Sequence, residues 1–109
     1  MKTNSYISNL YCPKCGKTFE FETVRNLCQC GSPLLVKYDL EKLKKEVKRE
    51  YILGRKHSLW RYKELLPVIE EENIVSLGEG YTPLTLLKNA GKAIGVKNLF
   101  LKDEGIIPT

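Results

Sequence analysis

Apolar and polar residues alternate over the first third of the chain, then change to a three- and four-residue rhythm. Tyr6-Ile7-Ser8-Asn9-Leu10-Tyr11 and Leu34-Leu35-Val36-Lys37-Tyr38 read as short strands. Between them, Thr18-Phe19-Glu20-Phe21-Glu22-Thr23-Val24 alternates apolar and polar residues, which predicts a strand with one buried face. From Asp39 the period lengthens: Leu40, Leu43, Val47 and Tyr51 fall on one helical face, with Asp39 as N-cap and Gly54 as the stop. Ser58 can cap a second, short helix through Leu66, closed by Pro67, in which Trp60 and Tyr62 are packing residues.

The remainder is again mixed. Ile74-Val75-Ser76-Leu77 meets a glycine-bounded turn, Gly78-Glu79-Gly80, whose carboxylate is expected to be solvated. Thr82 precedes a proline and so starts an extended piece through Leu87. A short helix is predicted over Ala90–Ile94 with Gly95 as its end, followed by a strand over Asn98–Lys102 and a loop at Pro108-Thr109. There is no internal repeat and no low-complexity stretch.

Length and composition narrow the class. With 109 residues, 42% hydrophobic and 28% charged, the chain reads as globular rather than disordered and is too short for a large enzyme. Its apolar runs fall far short of a membrane span, and the amino terminus leads into no signal-like stretch. A cytoplasmic location follows as an expectation, with thiols kept reduced. The net charge of +5 is uneven, since residues 37–63 carry ten Lys or Arg against four Asp or Glu. Glu41, Glu46 and Glu50 interrupt that basic stretch, which favours a solvated helix face over a nucleic-acid surface.

The chemistry lies in the cysteines. Cys12-Pro13-Lys14-Cys15-Gly16 and Cys28-Gln29-Cys30-Gly31 hold all four. In each, a glycine follows the pair and allows the positive dihedral that a thiolate-binding turn needs. Two such turns facing each other give tetrahedral thiolate coordination, which suits zinc, with iron as the alternative. Incidental cysteines or two disulfides are the competing readings, and a reducing compartment disfavours the second. Four protein ligands leave no open position, so Cys12, Cys15, Cys28 and Cys30 predict a structural metal. His57, the lone histidine, is expected at the surface rather than as a ligand.

In this order, the two cysteine pairs, Leu59-Trp60-Arg61-Tyr62 and Leu77-Gly78-Glu79-Gly80-Tyr81-Thr82-Pro83-Leu84 resemble the start of microbial threonine synthases. Leu101-Lys102-Asp103-Glu104-Gly105-Ile106-Ile107-Pro108-Thr109 is similar to the approach to that family's cofactor-lysine motif, with Ile107 where the family usually has Asn. The resemblance implies a fold type II pyridoxal phosphate enzyme converting O-phosphohomoserine and water to threonine and phosphate. It also implies that Thr82 and Thr109 lie near the active-site wall, although each equally suits a plain turn or strand start. The Schiff-base lysine would follow Thr109, so no residue here is expected to be catalytic or to hold the cofactor, and the chain alone is expected to be inactive. A cysteate synthase of the same fold type stays open.

The expectation is an α+β chain: a small β zinc ribbon over 1–38, a helical linker over 39–72, and the incomplete start of an α/β catalytic domain over 73–109. Its partners would be the remainder of that domain and, in the whole enzyme, a small-molecule substrate. Lone strands such as Leu99–Leu101 would then lack sheet neighbours. The competing reading is an independent zinc-ribbon module for nucleic acid or a protein partner. Against it, the ribbon's basic residues are few: Lys2, Lys14, Lys17, Arg25 and, in its last strand, Lys37.

Overall fold

The computed structural model describes residues 5–108. The chain divides into two compact units: the part up to Arg55 joined by Trp60–Ile74, and Lys56–Leu59 joined by the part from Val75 onward. Both helices and small antiparallel sheets are present, as the α+β reading expects.

In the first unit, β1 (Ile7–Tyr11) is the central strand of a three-stranded antiparallel sheet, flanked by β2 (Thr18–Phe19) and β3 (Leu35–Tyr38). Leu10 pairs with Phe19 on one side and Val36 on the other, so these three half-buried side chains form one cross-strand row. The strand predicted over Thr18–Val24 is cut to its first two residues, and Val24 is 100% exposed. The β1–β2 ladder stops at Phe19, and the β1 position that Phe21 would face coincides with a register shift of β1 against β3, between Ile7 and Asn9. Beyond it the chain leaves the sheet and forms its own small bridge, Leu27 to Pro33.

Asp39 caps α1 (Leu40–Glu46) as its position predicts, its carboxylate accepting from the Lys42 amide at 2.9 Å. The long helix expected to run to Gly54 is instead broken. Val47 is extended (φ −102°, ψ 113°), and α2 (Arg49–Leu53) starts afresh. The break undoes the common face: Leu43 and Val47 are half-buried, whereas Leu40 and Tyr51 are exposed. Gly54 does close α2, in an ordinary right-handed conformation (φ −76°).

Leu59–Leu65 forms a 3-10 helix with a kink at Tyr62. Two buried charged residues, Arg61 and Glu64, explain the tighter winding. The Arg55 guanidinium engages the Arg61 carbonyl at 2.7 Å, an acceptor that a continuing α-helix would use. Arg61 in turn donates to the Ile52 and Leu53 carbonyls at 3.0 and 3.2 Å, satisfying the open end of α2. Tyr62, expected to pack, is exposed. The Tyr6 amide donates to the Glu64 carbonyl at 3.0 Å and the Ser5 hydroxyl to the Leu66 carbonyl at 2.7 Å, tying this segment to the start of β1. A second short 3-10 turn covers Glu71–Asn73.

The second unit contains β4 (Leu84–Leu86), α3 (Lys88–Ile94) and β5 (Phe100–Lys102). The strand expected to lack neighbours has one: β5 pairs antiparallel with β4, Thr85 opposite Leu101. The tight return at Gly95, left-handed at φ 75°, brings the chain back beside β4. Every residue of both strands is exposed. Gly80 (φ +88°) lies against the Leu59 backbone, and the Leu59 amide donates to the Glu79 carbonyl at 3.1 Å. The His57 ring stacks on Tyr81 at 3.9 Å. Among the described residues, no helix is long and apolar enough to cross a membrane.

Candidate metal centre

The end of β1 delivers Cys12 into the first turn. Its amide donates to the Lys17 carbonyl at 2.8 Å, and its carbonyl accepts from the Gly16 amide at 2.9 Å. This wraps the loop so that the Cys15 amide points at the Cys12 sulfur, 3.4 Å away. The second turn repeats the plan with one residue fewer between its cysteines. The Cys28 amide donates to the Ser32 carbonyl and the Gly31 amide to the Cys28 carbonyl, both at 2.9 Å. Gly16 (φ 75°) and Gly31 (φ 81°) both adopt the left-handed conformation expected of them.

The two turns face each other. The Cys12 and Cys30 sulfurs are 3.5 Å apart, the Cys15 and Cys28 sulfurs likewise 3.5 Å, and all four lie within 4.8 Å of one another. Thiolates about 2.3 Å from a tetrahedral zinc would be roughly 3.8 Å apart, so the donor set fits such an ion. Cys12 and Cys28 are buried, whereas Cys15 and Cys30 are exposed. Sequence reasoning missed one link between the turns, a hydrogen bond from Lys17 Nζ to Gln29 Oε1 at 3.0 Å. It depends on a sheet register that the cysteine spacing does not encode.

The sulfurs are not equivalent electrostatically. The Cys15 amide, helped by that of Lys14, draws the Cys12 thiol down to about 6. At Cys30 the Ser32 amide acts in the same direction, but the adjacent Cys12 sulfur, burial and the other two cysteines outweigh it and push the thiol up to about 11. Four clustered thiolates repel, and a cation is what holds them all deprotonated. The cluster can therefore hold a metal ion.

The other residues singled out in the sequence lie elsewhere in the chain. Thr82 is only 8% exposed; its hydroxyl donates to Glu104 Oε1 at 2.6 Å, and its carbonyl accepts from Lys102 Nζ. Both contacts lock the entry to β4 onto the exit of β5. Thr109 lies outside the described residues. The Glu79 carboxylate, expected to be merely solvated, accepts from the Leu77 amide at 2.6 Å and the Ser76 hydroxyl at 3.1 Å, bracing the glycine turn. The importance of Glu104 was not visible in the sequence, because its partner is 22 residues away.

Curated relatives match the chain. It is 45% identical over 98 residues to a threonine synthase of Methanocaldococcus jannaschii, covering 90% of this chain and 24% of the relative. A threonine synthase of Methanosarcina acetivorans is 35% identical over 102 residues, covering 93% of this chain and 24% of its own length. One from Halalkalibacterium halodurans is 51% identical over 57 residues, 48% of this chain and 16% of the relative. No protein-family model matches the chain, and no solved structure matches it significantly. The chain thus spans about a quarter of the first two relatives, at 24% each. It is, over most of its own length, a homologue of part of the threonine synthase polypeptide, with a four-cysteine cluster that can hold a metal ion.

Proposed function

We propose that this chain is the amino-terminal part of a threonine synthase-like enzyme, with a structural zinc ribbon over 1–38, a helical linker over 39–72 and the first elements of the catalytic domain over 73–109. The observation that carries this reading is the 45% identity spread over 90% of the chain rather than confined to the cysteines. In the whole protein, the reaction is conversion of O-phosphohomoserine and water to threonine and phosphate, and pyridoxal phosphate supplies the electron sink. The residues here assign no ligand to that cofactor, and the partner of this chain is the rest of the catalytic domain. The metal has a structural role, because its four donors all come from protein and leave no position for substrate. A cytoplasmic setting keeps those thiols reduced.

A chimera tests the proposal. The chain replaces the matching segment of the Methanocaldococcus jannaschii relative, and phosphate and threonine are measured after adding O-phosphohomoserine and pyridoxal phosphate. Turnover by the chimera, with none from the chain alone, is expected. A chimera that folds and binds the cofactor but makes no threonine, beside an active parent, would refute the assignment.

A further inference from the structure

The arrangement of sulfurs between the two turns has chemistry beyond holding an ion. Two close approaches join the turns: Cys12 to Cys30 and Cys15 to Cys28, both at 3.5 Å. The two pairs share no sulfur, so both can close at once. Each also combines one exposed thiol with one buried thiol, Cys30 with Cys12 and Cys15 with Cys28. An oxidant arriving from solvent meets Cys15 and Cys30 first, and each has a buried partner within reach.

A bridge inside the second turn is less favourable, because joining Cys28 to Cys30 would close a small, strained ring over Gln29 alone. Closing a cross-turn pair from 3.5 Å to the roughly 2.0 Å of a disulfide needs a shift of sulfur positions and no rearrangement of the sheet.

We propose that the cluster is a peroxide-responsive metal-release switch, in which oxidation joins Cys15 to Cys28 and Cys12 to Cys30. The proposal rests on the reading of the cluster as a metal centre. An exposed thiolate attacks hydrogen peroxide: an S–O bond forms, the O–O bond breaks, and hydroxide leaves. The buried partner's sulfur then attacks the sulfenic sulfur, forming S–S and breaking S–O, and a second hydroxide leaves. With two protons from solvent, the peroxide becomes two waters, having taken the two electrons the thiolates lose. Neither sulfur of a disulfide keeps the anionic charge that holds a divalent ion, so the metal departs. The bridges themselves then hold the turns together, and a dithiol reductant restores the donors.

The test uses the 109-residue chain loaded with zinc. Peroxide is titrated in the presence of a chromogenic zinc indicator, and the product is digested with trypsin after alkylation of free thiols. Release of the bound zinc by about two equivalents of peroxide is expected. Cleavage at Lys14, Lys17, Arg25 and Lys37 puts Cys12 and Cys15 on separate peptides and Cys28 with Cys30 on a third. Cross-turn bridging therefore gives one three-peptide species, and fragmentation at Gln29 assigns each partner. Within-turn bridging gives a two-peptide species and an internally bridged one, and would overturn the proposal, as would zinc retained in peroxide. A reduced chain that takes up no zinc defeats the metal reading itself and is seen before any oxidant is added.

Discussion

Arg55 clasps the Glu64 carboxylate with both terminal nitrogens, Nη1 to Oε2 at 2.8 Å and Nη2 to Oε1 at 2.6 Å. The same guanidinium reaches the Arg61 carbonyl, so one side chain sets the 3-10 path of the segment it faces. Planar, bidentate contacts of this kind are ones a lysine cannot reproduce.

Glu64→Gln is expected to destabilise the first unit by about 2 kcal/mol, less than a fully buried pair because Arg55 stays partly in water. Arg55 holds the Glu64 carboxyl below the usual carboxylate range. Its stabilising contribution is therefore complete above that range and is lost as pH falls through the lowered value. Urea unfolding of both proteins at neutral and acid pH should show their difference shrinking on acidification. A difference that grows toward low pH would contradict the assignment.

Removing the metal should cost the first unit its sheet. Three strands of five, two and four residues bury little apolar surface, and an ion held by the knuckles would supply the missing stability. Chelation under reducing conditions, or Cys12→Ser, is expected to abolish uptake of about one zinc per chain and to lower the melting temperature sharply. Because protons compete for the thiolates, zinc should also leave as pH falls. Metal content measured with circular dichroism decides the matter.

Gly80 and Gly78 separate close approach from backbone strain. Both have positive φ, but a Cβ on Gly80 would sit 2.5 Å from the Leu59 nitrogen, whereas one on Gly78 meets nothing within 4 Å. Gly78→Ala should cost about 1 kcal/mol and Gly80→Ala about 3. Equal losses in thermal unfolding would show that the contact with Leu59 is unimportant.

Thr82→Val removes the hydroxyl that donates to Glu104 while keeping the shape of the side chain. About 1–2 kcal/mol of stability should be lost. Thr82→Ser keeps the donor and should recover most of it. If Val and Ser behave alike, the bond contributes nothing.

What could be read in advance was what depends on neighbours in sequence. Asp39 caps a helix because its acceptor reaches an amide three residues on, and Gly16, Gly31 and Gly95 take positive φ because their turns require it. The cysteine turns follow from the same local logic. What escaped was set by distant partners: the break at Val47, the 3-10 path around Arg61, the pairing of β5 with β4 and the Thr82–Glu104 bond. Periodicity reports which face of an element is apolar. It carries no information on where an arginine 6 or 9 residues away will place its guanidinium.

The cysteine turns also bear on how fast the first unit is assembled. β1 must find β3 across an open span, Tyr11 opposite Leu35, before any of that ladder is rewarded. Once an ion joins Cys12 to Cys30, the search shrinks to the short stretch from Cys30 to Leu35, and most of the loop-closure entropy has already been spent. Metal capture at this cluster would thus act as a nucleus, so that an ion held there would govern the rate of sheet formation as well as its persistence.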